Sequence, residues 1–291
     1  ARVIGPDGKV RIVDEENEPD LLWALRGAGA ASFGIASEYT LALKPVAKML
    51  TARLSFIQPA TATARIVTGW QEAMSQSDPR ISGHLYLMHN RDDTLLTVIY
   101  LASVAPDEVT VPVARRISSL APLFTQPILR VGTPAGIAQM LSSPDQFPQG
   151  WLKYTSDFLR SPLPASVSEA LCEAIVAGGG DLSVAMEPAD GEIRRAARPG
   201  AFAHRDAAFL MQHQLRLPPG TTPDGERIAP LRGMEAIVAP HTTGGKYMNY
   251  PDRDLEDYAD RYWGDSLPRL RTVKRRVDRY GVFAPPQGVP L

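Results

Sequence analysis

The chain has 291 residues, of which 44% are hydrophobic and 22% charged, with a formal net charge of -1. Such a composition belongs to a globular protein with room for one large or two ordinary domains, and its near-neutral balance argues against a nucleic-acid or membrane surface. No apolar run approaches the ~20 residues of a spanning helix, and a single cysteine, Cys172, excludes an internal disulfide or a cysteine-based metal cluster.

Arg2-Val3-Ile4 and Val10 to Val13 flank the turn Gly5-Pro6-Asp7-Gly8 and read as a hairpin. No signal peptide precedes it, which favours a cytoplasmic protein, although a start at Ala1 rather than Met leaves room for a removed leader. Asn17 to Asp20 resembles a cap, and Asp20 to Leu25 a short helix. The stretch from Gly27 to Gly34 is then dominated by glycine and alanine, so main chain forms the surface there. It reads either as a tight connection packed on a helix or as a ligand cradle of backbone N–H groups. It is not a dinucleotide fingerprint, because the glycines follow a helix and precede a strand. Tyr39, Leu41 and Leu43 alternate with polar neighbours and predict a half-buried strand over 36–43 that ends at Lys44-Pro45.

Beyond Pro45, Leu50 to Ile57 predicts a strand and Thr61 to Met74 an amphipathic helix. Leu85 to Met88 and Leu95 to Leu101 form a hairpin across Asn90 to Asp93. Val109 to Leu120 reads as helix, Pro127 to Val131 as extended, and Trp151 to Phe158 as strand. A helix follows with Val167, Leu171, Ala174 and Ile175 on one face, and Cys172 beside that face reads as a buried, inert thiol. Leu182 to Met186 is the next strand, Asp190-Gly191 a turn, and Ala201 to His213 leads into another strand. Pro218 to Arg227 reads as an open loop, Ile228 to Val238 as helix, and Asp254 to Trp263 and Leu267 to Val277 as two more. Strands alternating with helices, but joined partly by hairpins, predict an α+β fold with a large, mostly antiparallel sheet covered by helices.

Two stretches carry a family resemblance. "DLLWALRGAGAASFGIASEYTLALKPV" resembles the FAD-linked oxidases of the berberine-bridge-enzyme type, within the vanillyl-alcohol-oxidase superfamily. There the stretch usually runs Asp-Leu-Phe-Trp-Ala-Leu-Arg-Gly-Gly-Gly and then Asn-Phe-Gly; here Ala28, Ala30 and Ser32 are departures. "KYMNYPDRDL" resembles the family's Tyr-x-Asn-Tyr segment, and "VKRRVDRYGVFAPPQGVP" its Lys-x-x-x-Asp-Pro-x-Asn-x-Phe ending, with Arg279 and Gly281 departing. Ala201 to Arg205 is similar to its Phe-Pro-His-Arg segment, with Ala203 in place of Pro.

The resemblance implies a partial FAD-binding domain from residues 1–49 and 240–291, with a substrate domain at 50–239 between them. It places Gly27, Gly29, Phe33 and Gly34 at the flavin, with Asn249 contacting the cofactor and Tyr250 beneath it. Tyr247 becomes the base in an oxidation that sends hydride to the flavin. A second acidic group is expected near Asp190-Gly191, with Glu187, Asp190 and Glu192 as candidates and Glu187 as the choice. The region that carries the pyrophosphate loop and the covalent attachment residues in the family has no counterpart in this sequence. The implied activity is oxidation of an alcohol or similar C–H in a secondary metabolite or sugar, with FAD as cofactor.

From the residues alone, Tyr247 and Tyr250 read equally as packing aromatics. His204 and Arg205 bind an anion or cap a strand, and Arg26, Arg194, Arg195 and Arg198 read as solvated charge. His84 and His89, five apart on one predicted strand, face opposite sides, so no metal site is expected. The other reading is a cofactor-free cyclase or binding protein that kept the substrate cavity and lost the flavin half. An incomplete sheet predicts cover over its edge: a second copy in a homodimer, a separate N-terminal flavin-binding chain or a rearranged local segment. The remaining partner is a small-molecule substrate.

Overall fold

A computed structural model of the chain describes all residues except 30, 44, 46–47, 126–127, 133–149 and 197–199, with backbone alone for 128–131. In chain order the described strands and helices are β1 (Arg2–Ile4), β2 (Val10–Ile12), α1 (Pro19–Leu25), β3 (Ile35–Glu38), β4 (Met49–Pro59) and α2 (Ala60–Ser75). They continue with β5 (Ile81–His89), β6 (Thr94–Ser103), α3 (Asp107–Ser118), β7 (Ile128–Gly132), β8 (Trp151–Leu159) and α4 (Ala165–Ala177). The last are β9 (Leu182–Pro188), α5 (Glu192–Arg195), β10 (Phe209–Leu217), α6 (Gly225–Val238), α7 (Tyr258–Trp263) and α8 (Leu267–Val277). The large antiparallel sheet and its helices make this an α+β fold, as the residue pattern predicts. Ala30 and Arg198, singled out in the sequence, lie outside the described residues.

The chain divides into two compact units, Ala1–Lys44 with Ile193–Arg205 and Gly244–Leu291, and Pro45–Glu192 with Asp206–Thr243. In the first unit the antiparallel sheet β2-β1-β3 turns Val3 inward. Val3 packs in one cluster with Leu21, Ala24, Phe33, Trp263, Leu270 and Val273. Helix α8 supplies Leu267, Leu270 and Val273 at intervals of three, one helical face. Pro19 opens α1 where its missing N–H costs nothing, and the Arg269 guanidinium lies 4.0 Å over the Trp23 ring.

Two expectations for this unit are corrected. β3 stops at Glu38, and Tyr39, Leu41 and Leu43 are 62%, 73% and 88% exposed rather than half-buried. The cause is the length of β1: its pairing with β3 ends at Arg2 and Glu38, so the following residues have no ladder partner. The first C-terminal helix begins at Tyr258, not Asp254. Asp252 uses its side chain to accept from the Asp254 N–H and its carbonyl to accept from Leu255 N–H, which holds a turn there.

The second unit is built on a seven-stranded sheet in the order β7-β4-β6-β5-β9-β10-β8, antiparallel at every step. Register lines up Leu54, Ile99, Leu85, Met186 and Met211 across five strands. That row shares a core with Trp70 of α2, Ile175 of α4 and Met234 of α6. It ends at Asp157 on the edge strand β8, which holds the buried His213 at 3.1 Å. Helix α6 starts three residues before the predicted Ile228, because the Asp224 carboxylate accepts from the Arg227 N–H and caps it. Cys172 is fully buried, and burial first, with Glu169 and Glu173 adding to it, pushes its thiol up to about 12.

Candidate functional site

The turn after α1 is shaped by what lies against it. Gly27 has φ +135, and a Cβ there would run into the backbone N of Phe202. Gly29 has φ +82, and a Cβ there would stand 2.8 Å from Met248 Cγ. Both positions need a residue that tolerates left-handed backbone and close approach. The segments around Phe202 and Met248 are thereby seated on the turn. Gly245 is in turn covered by the His204 ring, whose Nε2 lies 3.1 Å from the Tyr262 carbonyl. Burial lowers the His204 pKa against the opposing effect of its backbone hydrogen bonds, which fits a neutral, structural imidazole better than an anion ligand.

This packing gathers the predicted aromatic group. Phe202 meets Tyr247 edge-on at 6.1 Å, and Tyr247 meets Tyr250 edge-on at 5.2 Å. The Asn249 side-chain amide donates to the Tyr247 hydroxyl oxygen at 2.8 Å. Gly27, Gly29, Phe33, Gly34, Tyr247, Asn249 and Tyr250 therefore all belong to the first unit.

The departures from the family pattern have structural occupations. The Ala28 methyl packs in the buried cluster, and its carbonyl accepts from Trp263 Nε1 at 3.2 Å. Ser32 is buried; its Oγ accepts from the Val289 N–H at 3.0 Å, and its carbonyl accepts from Lys274 Nζ at 2.6 Å. Lys274 also donates to Asp278 Oδ2 and to the Phe283 carbonyl, each at 2.6 Å. Burial alone would raise the Asp278 carboxyl; hydrogen bonds from Lys274 and the Phe283 and Val282 N–H groups hold it below its ordinary value.

A cavity of about 340 Å³ opens beside the turn, bounded by Gly29, Ser32, Met248, Asn249, Arg253 and Gln287 among others. Gln287 is fully engaged, donating to the Asp252 and Leu255 carbonyls and accepting from Tyr262. By contrast, the N–H groups of Gly29 and Ser32 find no acceptor among the described residues, and the Asn249 carbonyl oxygen accepts no hydrogen bond there. Backbone donors beside an open amide acceptor complement an imide edge, where an N–H is flanked by two carbonyls. The flavin ring has such an edge, and backbone donors with an amide acceptor are the group types that would hold it.

Glu187 belongs to the other unit, on β9. Its Oε2 lies 3.7 Å from His84 Nδ1 on β5, and burial raises the carboxyl while lowering the imidazole. His84 stacks on Tyr86 with centroids 4.4 Å apart, and Tyr86 meets Tyr100 edge-on at 6.0 Å. Sequence reasoning used His84 only to exclude a metal and passed over Tyr86 and Tyr100. The available signal was the alternation His84, Tyr86, Met88 against Leu85 and Leu87, which sets a polar and aromatic face opposite an apolar one.

Known structures share this architecture. A berberine bridge enzyme, solved as its H174A variant in complex with (S)-reticuline, superposes with a TM-score of 0.88 at 16% identity, over 100% of this chain and 64% of that one. The fold is thus that of a berberine bridge enzyme. Residues 246–290 match the family model described as berberine and berberine like. Berberine bridge enzyme-like 1 of Arabidopsis thaliana is 25% identical over 334 residues, covering 100% of this chain and 60% of that protein. An uncharacterized FAD-linked oxidoreductase of Bacillus subtilis (strain 168), YvdP, is 26% identical over 311 residues, 98% of this chain and 64% of that protein. Over residues 246–290 the chain is similar to the berberine and berberine-like family, and it spans about three fifths of the length of the curated relatives it matches. Among the described residues no helix is long and apolar enough to cross a membrane.

Proposed function

We propose that this chain supplies part of the flavin site and the substrate domain of an FAD-dependent oxidoreductase that oxidises an alcohol or similar C–H in a small secondary metabolite or sugar. The observation that carries the reading is the cavity bordered by the Gly29 and Ser32 N–H groups and the Asn249 amide, with the Tyr247 hydroxyl tied to that same Asn249. FAD, when bound, supplies the hydride acceptor. Gly27, Phe33 and Gly34 hold the turn, and Tyr250 braces the Tyr247 ring from its edge. The Asn249 amide donates to the Tyr247 oxygen and orients it; acting as the phenolate, Tyr247 would take the proton of the substrate hydroxyl as hydride leaves. Glu187, a carboxyl raised by burial, is the second proton-holding group.

The test is flavin binding and turnover by the purified chain. FAD titration should quench flavin fluorescence, and Tyr247→Phe should leave that binding intact. Oxidation of benzylic and sugar alcohols with FAD present, followed by electron-acceptor reduction, should fall on the order of 10²–10⁴-fold in the variant. Activity that ignores FAD, with a mild Tyr247→Phe effect, would point instead to a cofactor-free cyclase.

A partner completes the proposal. Val10, Ile12 and Ile35 on the small sheet are each more than half exposed, and Leu41 and Leu43 are more so. Exposed apolar surface of this kind is ordinarily covered. We assign it to a second chain, a further copy or a flavin-binding polypeptide. Light scattering of the purified protein should give a mass above one chain, falling to one chain for Ile12→Lys with Ile35→Lys. A monodisperse single-chain mass for the unaltered protein argues against the homodimer and leaves the flavin-binding polypeptide, which co-purification must then recover.

A further inference from the structure

The face of the seven-stranded sheet opposite its helix-packed core carries a cavity of about 520 Å³. Its lining is graded along the strands. Arg53, Tyr100 and His84 form one transverse row, Val98 and Tyr86 the next, and Leu96 and Met88 the last. Rows two residues apart in strands lie roughly 6.7 Å apart, so the first and last are separated by about 13 Å. One end is therefore charged and aromatic, and the other is aliphatic.

Arg53 sets the polarity of the first row. Its Nε donates to the Tyr100 hydroxyl at 3.3 Å and its Cζ lies 5.9 Å from the Tyr100 ring centroid. No carboxylate pairs with it among the described residues, which leaves the terminal guanidinium N–H groups for a planar anion. Glu187 stands in the same row, but on β9, three strand spacings and about 14 Å from β4. A carboxylate ligand is thus drawn to the Arg53 end of the row. The rings of Tyr86 and Tyr100, perpendicular to each other at 88°, offer a face and an edge to a flat ligand.

We infer that this cavity binds an aromatic carboxylate, with the acid on Arg53 and the ring system over Tyr86, Val98, Leu96 and Met88. Taken as the substrate of the oxidation, this ligand rests on the function proposed above; as a ligand site it does not. Arg53 and Tyr100 are then residues that select substrate, and neither takes part in the chemistry.

The experiment is calorimetric titration, without flavin, of 2-naphthoate, 2-naphthamide and octanoate into the unaltered protein and into Arg53→Gln and Tyr100→Leu. The naphthoate should bind at least tenfold tighter than its neutral amide, and that preference should fall below about twofold in Arg53→Gln. Retained amide binding in that variant reports an intact cavity in the same experiment. Tyr100→Leu should weaken both naphthyl ligands severalfold. Equal affinity for acid and amide, an unchanged preference in Arg53→Gln, or loss of both ligands there would overturn the inference. Octanoate binding as tightly as 2-naphthoate would overturn its aromatic part. Because flavin is absent, failure here leaves the oxidoreductase proposal standing, and failure of flavin binding leaves this site standing.

Discussion

Lys274 Nζ lies 2.6 Å from the carbonyl oxygen of Ser32, and the two residues are 242 apart in the chain. The ammonium makes two further bonds, to Asp278 and to the Phe283 carbonyl, so all three of its donors are used inside the protein. Asp278 in turn accepts from the Val282 and Phe283 N–H groups. One buried charge pair thereby joins the Gly/Ala turn, the end of α8 and the C-terminal segment. The turn that borders the cavity near Asn249 is held from behind by this knot.

Removing one partner leaves the other as an uncompensated buried charge. Lys274→Met should cost about 3–5 kcal/mol of stability. The double variant Lys274→Met with Asp278→Leu should recover part of that loss, because no charge then remains buried. Urea unfolding of the three proteins checks this; a single variant as stable as the parent would show that the pair contributes nothing.

The same pair sets an acid limit. Asp278 has its folded pKa held below the ordinary carboxylate value of about 3.9. Its contribution is therefore fully present above that value and is lost as pH falls through the lower, folded pKa. The stability gap between the parent and Asp278→Asn should be constant near neutrality and shrink below about pH 4. Urea midpoints measured from pH 6 to pH 2 read the gap directly, and a gap that widened toward acid would contradict this sign.

Backbone at the turn is the third test. Gly27→Ala forces a side chain into a glycine conformation and against Phe202, with strain alone on the order of 1–3 kcal/mol. Gly180→Ala, where a Cβ meets nothing within 4 Å, should stay within about 0.5 kcal/mol of the parent. Thermal unfolding of the pair separates a positional requirement from a general glycine effect. Equal destabilisation would refute it.

The residues by themselves determined the local elements. Alternation in Leu85 to Met88 and Leu95 to Leu101, with Asn90 to Asp93 between, specified a hairpin because its contacts are close in sequence. The Gly27 to Gly34 stretch, the Tyr247-x-Asn249 segment and the Lys274-x-x-x-Asp278 ending stand out by resemblance alone. What that ending does is not legible, since a lysine and an aspartate four apart near a helix end do not by themselves tell whether water or protein surrounds them. Only folding brings Ser32 above Lys274 and removes both charges from water. Strand 36–43 was misread for the complementary reason: alternation describes a strand that has a neighbour, and β1 is too short to give Tyr39 onward one. The row Arg53, Tyr100, His84 depends on pairings up to 47 residues apart. Sequence periodicity assigns each of those side chains to a face, and only the register of three strands sets them side by side.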